Sequence, residues 1–326
     1  MSEWNSLTIS NVIPRQDVNG NILDAHGGPH FNIFENRYYN YGVHYMDTDG
    51  FSFDQHYVSY SSTDFENWEF HGRLLEKSAP EGLYFRPHVL FSEKLGCYVL
   101  WYLWYEKYIH AGNNICHKGV ALSDSPSGPF EIQDTEIKLS GGLSGDHDLF
   151  QDDDGTAYLV YSAHDFSRKN GKNKEAVITV ERLSDDLLTS TRESVRIDAE
   201  GIPCEAPAMF KRNGTYYLMF DRWTDRGPRG SGARVYTSDK PLGPYEYRGN
   251  VNRHPGGTPI IKAQQNTVAP VETPQGTEYI WVGDRWKSAD KMGESFQFWC
   301  PLRFRDDGSI ETFSFINEWE LTVRKF

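Results

Sequence analysis

Two acidic residues lie where apolar strands are expected to begin, and carboxylates in such places can transfer protons. Glu205 stands directly before "APAMF", and Asp146 stands directly before "HDLF". Two acids brought together from distant parts of a chain can divide into a proton donor and a partner that accepts protons or tunes the donor's pKa. Glu205 could instead cap a neighbouring backbone N–H at a strand end, and Asp146, in "SGDHD", could simply belong to a polar loop. The pair predicts acid–base catalysis if the fold brings the two side chains to one place.

An internal repeat predicts a fold that does so. Five segments read as an apolar strand, a polar turn and a second strand rich in aromatic residues, and self-similarity at a fixed period is typical of propellers and solenoids. Outer strands repeat as well, in "SSTDFENWEF", "LSDSPSGPFEI" and "TSDKPLGPYEY". We therefore predict an all-β protein, a five-bladed β-propeller of four-stranded blades that occupies residues 1–326 as a single catalytic domain. The equivalent points recur about every 60 residues, at Phe34, Phe91, Phe150, Phe210 and Pro270.

The innermost strands of a propeller converge on a central channel, and their first residues line one mouth of it. Glu205 occupies such a position. Asp146, Arg86, Gly28 and Gln265 do so within one residue of register. We expect these five residues to lie around the channel mouth.

Charge and composition exclude two classes of partner. The chain has 326 residues, a net charge of −13 and no basic stripe, which argues against nucleic acid as a partner. It also has no apolar run of about 18 residues, so we expect no membrane span. Neutral sugars are compatible with this charge. The 9 Trp, 19 Tyr and 19 Phe residues suit either a β-rich core or a cleft in which aromatic rings stack on sugars.

The cysteines indicate no metal site. Cys97, Cys116, Cys204 and Cys300 form no C-x-x-C pair and have no zinc-like spacing, so we interpret them as thiols. We expect neither a metal nor a cofactor. The first residues lack the pattern of a secretory signal, which predicts a cytoplasmic protein, or a secreted one if a leader was removed.

Several motifs together resemble those of a known family. Five blades, the acid in "EAPAMFKRNGTYYLMF" and the Asp before "LFQDDDGTAYLVYS" resemble glycoside hydrolase family 43. The motifs "DAHGGPHF", "RPHVLF", "GVALSDSPSGPFE", "QQNTVAP" and "YIWVGDRW" are similar to those of the branch that contains exo-β-1,3-galactanases, and they extend from about Asp24 to Leu302. The resemblance implies an inverting, exo-acting glycoside hydrolase that releases terminal sugars from plant or microbial oligosaccharides or polysaccharides.

The resemblance also implies the catalytic roles. Glu205 corresponds to the general acid, and Asp146 to the residue that raises the pKa of Glu205 and orients it. The family's usual base is an Asp in an Asp-Pro pair, but this chain has Gly28 there. The branch lacks that Asp too, and a Gln of its fifth-blade motif, matched by Gln265, has been proposed to replace it. Asp24, where the branch usually has an uncharged residue, is a second candidate for the base.

The alternative to catalysis is a glycan-binding propeller without activity, because such a protein would also lack the base. Inversion makes a geometric prediction, since the acid and the base must leave room for a water molecule. Their separation should be about 6.5–9.5 Å rather than about 5–5.5 Å.

Two departures from the branch affect the expected substrate. The branch's "ERPKV" reads "FRPHV" here, which puts Phe85 where a sugar-binding Glu is usual, and its "YWYGE" reads "YNYGV", which puts Val43 at another Glu. Loss of two carboxylates should change which sugar hydroxyls the pocket accepts, because unpaired polar groups are costly to bury. The predicted terminal sugar is therefore β-1,3-linked galactose, galactofuranose or arabinofuranose.

Further substrate-binding candidates surround these positions. Arg86 follows Phe85 at the predicted mouth. His26 is either a packed core histidine or a ligand for a sugar hydroxyl. Trp223, in a Gly-rich loop, is predicted to be a platform for a sugar ring, and Arg285 either pairs with Asp284 or holds a substrate hydroxyl.

Overall fold

The structure is a computed structural model that describes residues 3–76, 79–107, 115–142, 144–164, 176–199, 202–222 and 230–326. Within these ranges the chain forms β-strands and one short 3₁₀ helix, Met292–Glu294. No helix among the described residues has the length and apolar character needed to cross a membrane. In chain order the strands are β1 (Trp4–Ser10), β2 (His26–Phe34), β3 (Arg37–His44), β4 (His56–Ser62), β5 (Glu69–Arg73), β6 (Leu83–Ser92), β7 (Cys97–Lys107), β8 (Ile115–Ser123), β9 (Glu131–Asp134), β10 (Ser144–Gln151), β11 (Ala157–His164), β12 (Ala176–Leu183), β13 (Ser190–Ile197), β14 (Cys204–Arg212), β15 (Thr215–Arg222), β16 (Arg234–Ser238), β17 (Glu246–Asn250), β18 (Gln264–Thr273), β19 (Gly276–Arg285), β20 (Phe296–Pro301) and β21 (Glu318–Arg324).

The strands form five antiparallel blades, which confirms the predicted all-β, five-bladed propeller. Strands β2–β5, β6–β9, β10–β13 and β14–β17 are four-stranded sheets in simple meander order. The prediction of four strands in every blade is wrong for the fifth, because β18, β19 and β20 are hydrogen-bonded as a three-stranded sheet. Strands β1 and β21, from the two ends of the chain, pair with each other instead, with Trp4 opposite Arg324.

The blades pack face to face, and this explains their sequence. Both faces of a middle strand are covered, so such strands read as nearly continuous apolar runs rather than as alternating ones. In β15, "TYYLMFDR", the six residues from Tyr216 to Asp221 are all buried. The turn before it contains Asn213 at φ 50° and Gly214 at φ 80°, the left-handed pair that a tight hairpin requires.

Hydrogen bonds between inner strands join blades one to four. The Nδ1 atom of His30 accepts the N–H of Val89 at 3.2 Å, and that of His88 accepts the N–H of Leu149 at 3.1 Å. Burial lowers the pKa of His30 to about 3 and that of His88 well below its ordinary value, so both rings are neutral and can accept. One blade further on, an Asp148 carboxylate oxygen accepts the N–H of Met209 at 2.9 Å.

Every inner strand is interrupted by a register shift close to its first residue. A bulge turns side chains in new directions and is common beside active sites. Two bulge residues that are not glycine, Arg86 and Ala206, have φ of 56° and 53°. The shifts separate His26 from His30, Phe85 from His88, Ser144 from His147, Glu205 from Ala208 and Gln265 from Thr267.

Candidate active site

Arg86 connects three blades at the channel mouth. Its Nη2 donates to Oδ2 of Asp146 at 2.9 Å, and its Nη1 donates to the backbone oxygen of Asn266 at 3.3 Å. The Arg86 side chain is buried, whereas the Asp146 side chain is 18% exposed. Asp146 is therefore a carboxylate that faces the mouth and has a fixed cation behind it.

The Arg86 side chain also occupies the space beside Gly28. Gly28 has φ 92°, and a Cβ built on it would lie 2.7 Å from Nε and 2.8 Å from Nη1 of Arg86. Contacts shorter than 3 Å are essentially never made by real Cβ atoms. A carboxylate at position 28 would therefore require Arg86 to move.

Glu205 is contacted by an amide that the sequence analysis missed. Gln264 donates from Nε2 to Oε1 of Glu205 at 2.6 Å, and the indole N–H of Trp286 donates to Oε1 of Gln264 at 2.7 Å. Because an indole can only donate, it fixes the amide with its oxygen toward Trp286 and its nitrogen toward Glu205. Glu205 is partly exposed, while Gln264 and Trp286 are buried.

Glu205 and Asp146 are both linked to the start of β18. Gln264 of β18 donates directly to Glu205. Asp146 is linked indirectly, because Arg86 donates both to Asp146 and to the Asn266 carbonyl of β18. The two acids thus lie on different blades, and a single strand connects their hydrogen-bonding partners.

Gln265 points away from the position that the sequence analysis expected. Its Nε2 donates to the backbone oxygen of Ala206 at 2.9 Å, and its Oε1 accepts the indole N–H of Trp281 at 3.0 Å. The side chain is completely buried. Neighbouring strand residues face opposite sides, so a one-residue error in register exchanges Gln265 for Gln264. The structure thus brings Gln264 to Glu205 and Gln265 to Ala206, and the predicted role of Gln265 as the base stays a prediction.

Asp24, the second candidate for the base, is buried beside the end of β3. Its Oδ1 accepts the N–H of Tyr45 at 3.0 Å, its Oδ2 accepts the N–H of Met46 at 2.7 Å, and Nδ1 of His44 lies 3.2 Å from Oδ2. These contacts are those of a carboxylate that organises the turn after β3. Its predicted role as the base stays a prediction.

His26 is a packed histidine, and the alternative role as a ligand for a sugar hydroxyl is not what the structure shows. Its Nδ1 lies 3.0 Å from Oδ1 of Asp284, and its Nε2 lies 3.3 Å from the Gly293 carbonyl. Burial lowers the pKa of His26, but the hydrogen bond and charge of Asp284 outweigh burial and the net shift is upward. Asp284 also accepts the N–H of Gly27 at 2.9 Å, so this pair supports the glycine segment of β2.

Phe85 and Arg285 are placed by packing. Phe85 is 5% exposed and belongs to an apolar cluster, with its ring centroid 5.6 Å from that of Tyr105. Arg285 contacts neither Asp284 nor the mouth residues described above. Its guanidinium lies over the rings of Phe296 and Phe315, and its Nη1 donates to the backbone oxygen of Asn11 at 3.3 Å.

Trp223 lies outside the described residues, so its predicted role as a sugar platform stays a prediction.

One described cluster has donor atoms that could hold a metal ion. His30, His88 and Asp148 each offer a ligand atom, and these atoms lie within 4.8 Å of one another. All three side chains are buried, and each already accepts a backbone N–H from the next blade. The expectation that the protein uses no metal or cofactor stays a prediction.

Comparison with known proteins gives a consistent family. The model of "Glycosyl hydrolases family 43" matches residues 34–308. A solved exo-β-1,3-galactanase from Clostridium thermocellum superposes with a TM-score of 0.77 at 27% identity, over 93% of this chain and 64% of that one.

Curated relatives are similar over shorter stretches. A β-D-galactofuranosidase from Aspergillus niger is 34% identical over 135 residues, which are 39% of this chain and 35% of that protein. A xylosidase/arabinosidase from Bacteroides ovatus is 28% identical over 229 residues, which are 61% of this chain and 66% of that protein. The chain thus matches about a third of the length of the first relative and just under two thirds of the second.

Proposed function

This chain belongs to glycoside hydrolase family 43, and we propose from that membership that it releases terminal sugars from glycans by an inverting, exo-acting mechanism. The observation that carries the proposal is the pair of acids at the channel mouth, each with its own partner. Asp146 is held by the Arg86 guanidinium, and Glu205 is held by the Gln264 amide. Two oriented carboxylates from different blades favour catalysis over a propeller that only binds glycans.

Glu205 is the general acid in this proposal. The Gln264 amide donates to Oε1 and so orients the carboxyl group that delivers its proton to the departing glycosidic oxygen. Asp146 supplies a negative charge that makes Glu205 hold its proton more tightly, and Arg86 holds the Asp146 carboxylate in place.

Gln264 is too close to Glu205 to be the base. Its Nε2 lies 2.6 Å from Oε1 of Glu205, and the N and O atoms of an amide are only about 2.3 Å apart. An inverting base stands about 6.5–9.5 Å from the acid, so that water fits between them. We assign Gln264 to orientation of the acid and keep Gln265 and Asp24 as the two candidates for water activation.

A terminal galactose is the proposed sugar. The support is the similarity to a solved exo-β-1,3-galactanase across nearly the whole of this chain. A furanoside, galactofuranose or arabinofuranose, is the second candidate. Apolar Phe85 and Val43 stand where the galactanase-like branch has carboxylates, and one relative is a galactofuranosidase.

A substrate panel tests the activity. Purified protein is incubated with p-nitrophenyl β-galactopyranoside, β-galactofuranoside and α-arabinofuranoside and with β-1,3-galactooligosaccharides. We expect single sugars as the product, with the inverted anomer visible by NMR before mutarotation. A retained anomer would contradict the mechanism, and glycan binding without any hydrolysis would favour the binding-protein alternative.

Replacement of Glu205 tests its role as the general acid, and Glu246 provides the matched control. Glu205→Gln should reduce turnover by about 10²–10⁴-fold on substrates with poor leaving groups, and much less on activated aryl glycosides, whose departure needs little protonation. The exposed Glu246→Gln should behave as the wild type. Equal losses on both kinds of substrate would indicate a structural role for Glu205.

Azide distinguishes the candidates for the base. Asp24→Ala and Gln265→Ala are each assayed with and without sodium azide, because a small anion can attack in place of an activated water. The variant that azide rescues, with formation of a glycosyl azide, identifies the residue that activates water. If neither variant loses activity, both assignments are wrong.

A further inference from the structure

Lys118 is a buried cation that the proposed mechanism does not use. It lies on β8, the third strand of blade two, and is only 1% exposed. Its Nζ donates to the backbone oxygen of Gly145 and lies 3.5 Å from that of Ser144, the two residues directly before Asp146. Burial lowers the pKa of Lys118 to about 7, so the charge in this place is costly.

The contact occurs at the register shift of β10. Ser144 pairs with Ala163 and His147 pairs with Tyr161, and the bulge lies between these two pairs. Lys118 therefore reaches from blade two to carbonyl groups at the start of the bulge that carries Asp146. Arg86, from another strand of blade two, binds the Asp146 carboxylate itself.

The charged and titratable groups that act on Lys118 come from three strands. Cys116 lies on its own strand, Arg86 and His88 lie on β6, and Asp146 and His147 lie on β10. The pKa of each of the two histidines is held well below its ordinary value by burial, so both are neutral. Asp146 is the anion of this set that the proposed mechanism uses, which makes it the group through which Lys118 can affect catalysis.

We propose that Lys118 is a positioning residue that holds the Ser144–Gly145 backbone and thereby places Asp146 beside the general acid. The inference rests on the proposed function, because it assigns a role toward Asp146 in that mechanism. Lys118 is only 1% exposed and acts behind the backbone that carries Asp146, so its loss should affect kcat more than KM.

Lys118→Met tests the inference, since it keeps the length of the side chain and removes the charge and the donors. We expect kcat to fall between about ten- and a hundred-fold, because small misplacements of a catalytic group have effects of that size. KM should change less than kcat, because Lys118 is buried and acts on the backbone that carries Asp146. Lys138→Met, at an exposed lysine in the segment between β9 and β10, should leave both unchanged.

A second variant tests whether the donated hydrogen bond is what matters. Lys118→Gln can still donate to a backbone carbonyl, so we expect it to restore part of kcat. If Lys118→Met does not fold, Lys118→Gln is judged by its own kcat and KM against those of the wild type. In an Asp146→Asn background the Lys118 substitution should add little, because residues that act through one another are not additive.

The outcomes distinguish this inference from the proposed function. Absence of hydrolysis by the wild type would remove the proposed function. Wild-type hydrolysis that Glu205→Gln abolishes, together with a Lys118→Met enzyme whose kcat equals that of the wild type, would overturn only the role of Lys118. A lower kcat that Lys118→Gln does not partly restore, and that adds fully to the effect of Asp146→Asn, would also overturn it, since the role would then be structural.

Discussion

At the scale of single residues, the mouth depends on which charges stand beside Glu205. Asp146 contributes a negative charge; Arg86 binds its Oδ2 atom, and the Asp146 side chain stays 18% exposed. The proposed division of labour between the two acids therefore has a consequence for pH dependence.

Asp146→Asn should move the basic limb of the pH–rate profile to lower pH. The general acid must be protonated to act, and loss of a nearby negative charge lets Glu205 lose its proton at lower pH. The measurement is kcat/KM against pH on a substrate with a poor leaving group. A basic limb that stays in place while the rate falls would contradict the role assigned to Asp146.

Gly28→Ala should destabilise the protein more than its backbone angle alone explains. A Cβ at Gly28 meets the Arg86 side chain, and the residue has φ 92°. Gly257 is a matched control, because it has φ 86° and nothing within 4 Å of its built Cβ. A residue held in a sparsely populated conformation costs about 1–3 kcal/mol, and we expect the extra cost at Gly28 to reflect displacement of Arg86.

The test compares the free energies of unfolding of both variants in a denaturant titration, together with their activities. Gly28→Ala should also lower kcat, since Arg86 binds Asp146, whereas Gly257→Ala should not. Equal destabilisation at the two positions would mean that Arg86 yields easily and that a carboxylate could be accommodated at position 28.

At the scale of elements, the inner strands are joined by buried side chains, and a charge on such a side chain costs free energy because it is removed from water. Asp148 of β10 accepts the N–H of Met209 of β14, and burial raises the pKa of Asp148 from 3.8 to about 6. The native protein therefore binds more protons than the unfolded chain between about pH 4 and pH 6. Its stability contribution falls as pH rises through that window.

Asp148→Asn should abolish the fall in stability that Asp148 causes between about pH 4 and pH 6. The amide oxygen can still accept the Met209 N–H but cannot become charged, so the variant should gain stability relative to the wild type from pH 4 to pH 6 and no further above it. Neutral His30, with a pKa of about 3, gives the wild type an opposite slope, so only the difference between the two proteins is diagnostic.

Denaturant titrations at several pH values measure that difference. The exposed Asp239→Asn serves as the control and should follow the wild type at every pH. A difference that does not change with pH would show that Asp148 does not titrate in this range.

At the scale of the whole molecule, the two chain ends form a sheet of their own beside the fifth blade. Ile9 of β1 is buried in a cluster with Trp299 of β20 and Leu321 of β21. The Asn11 amide and the Trp319 indole both donate to the Trp299 carbonyl at 3.0 Å. The terminal strands are thus part of the core.

Ile9→Ala should lower the free energy of unfolding by about 2–5 kcal/mol, as is usual for a buried aliphatic side chain. Thr8→Ala, next to it on the same strand but exposed, should change it far less. Chemical denaturation of both variants is the measurement. A similarly small change in both would mean that β1 can leave the propeller without cost.

The sequence by itself determined the number of blades, the equivalence of their inner strands and the two acids at the strand starts. These features follow from local patterns, apolar runs and turns, that recur about every 60 residues and leave a record in each repeat. Only the tertiary structure decided that Gln264 rather than Gln265 contacts Glu205, that Arg86 fills the space beside Gly28, and that the fifth blade has three strands. Bulges shift side chains by one residue, and the partners of these groups lie about 60 or more residues away, so no local pattern records them.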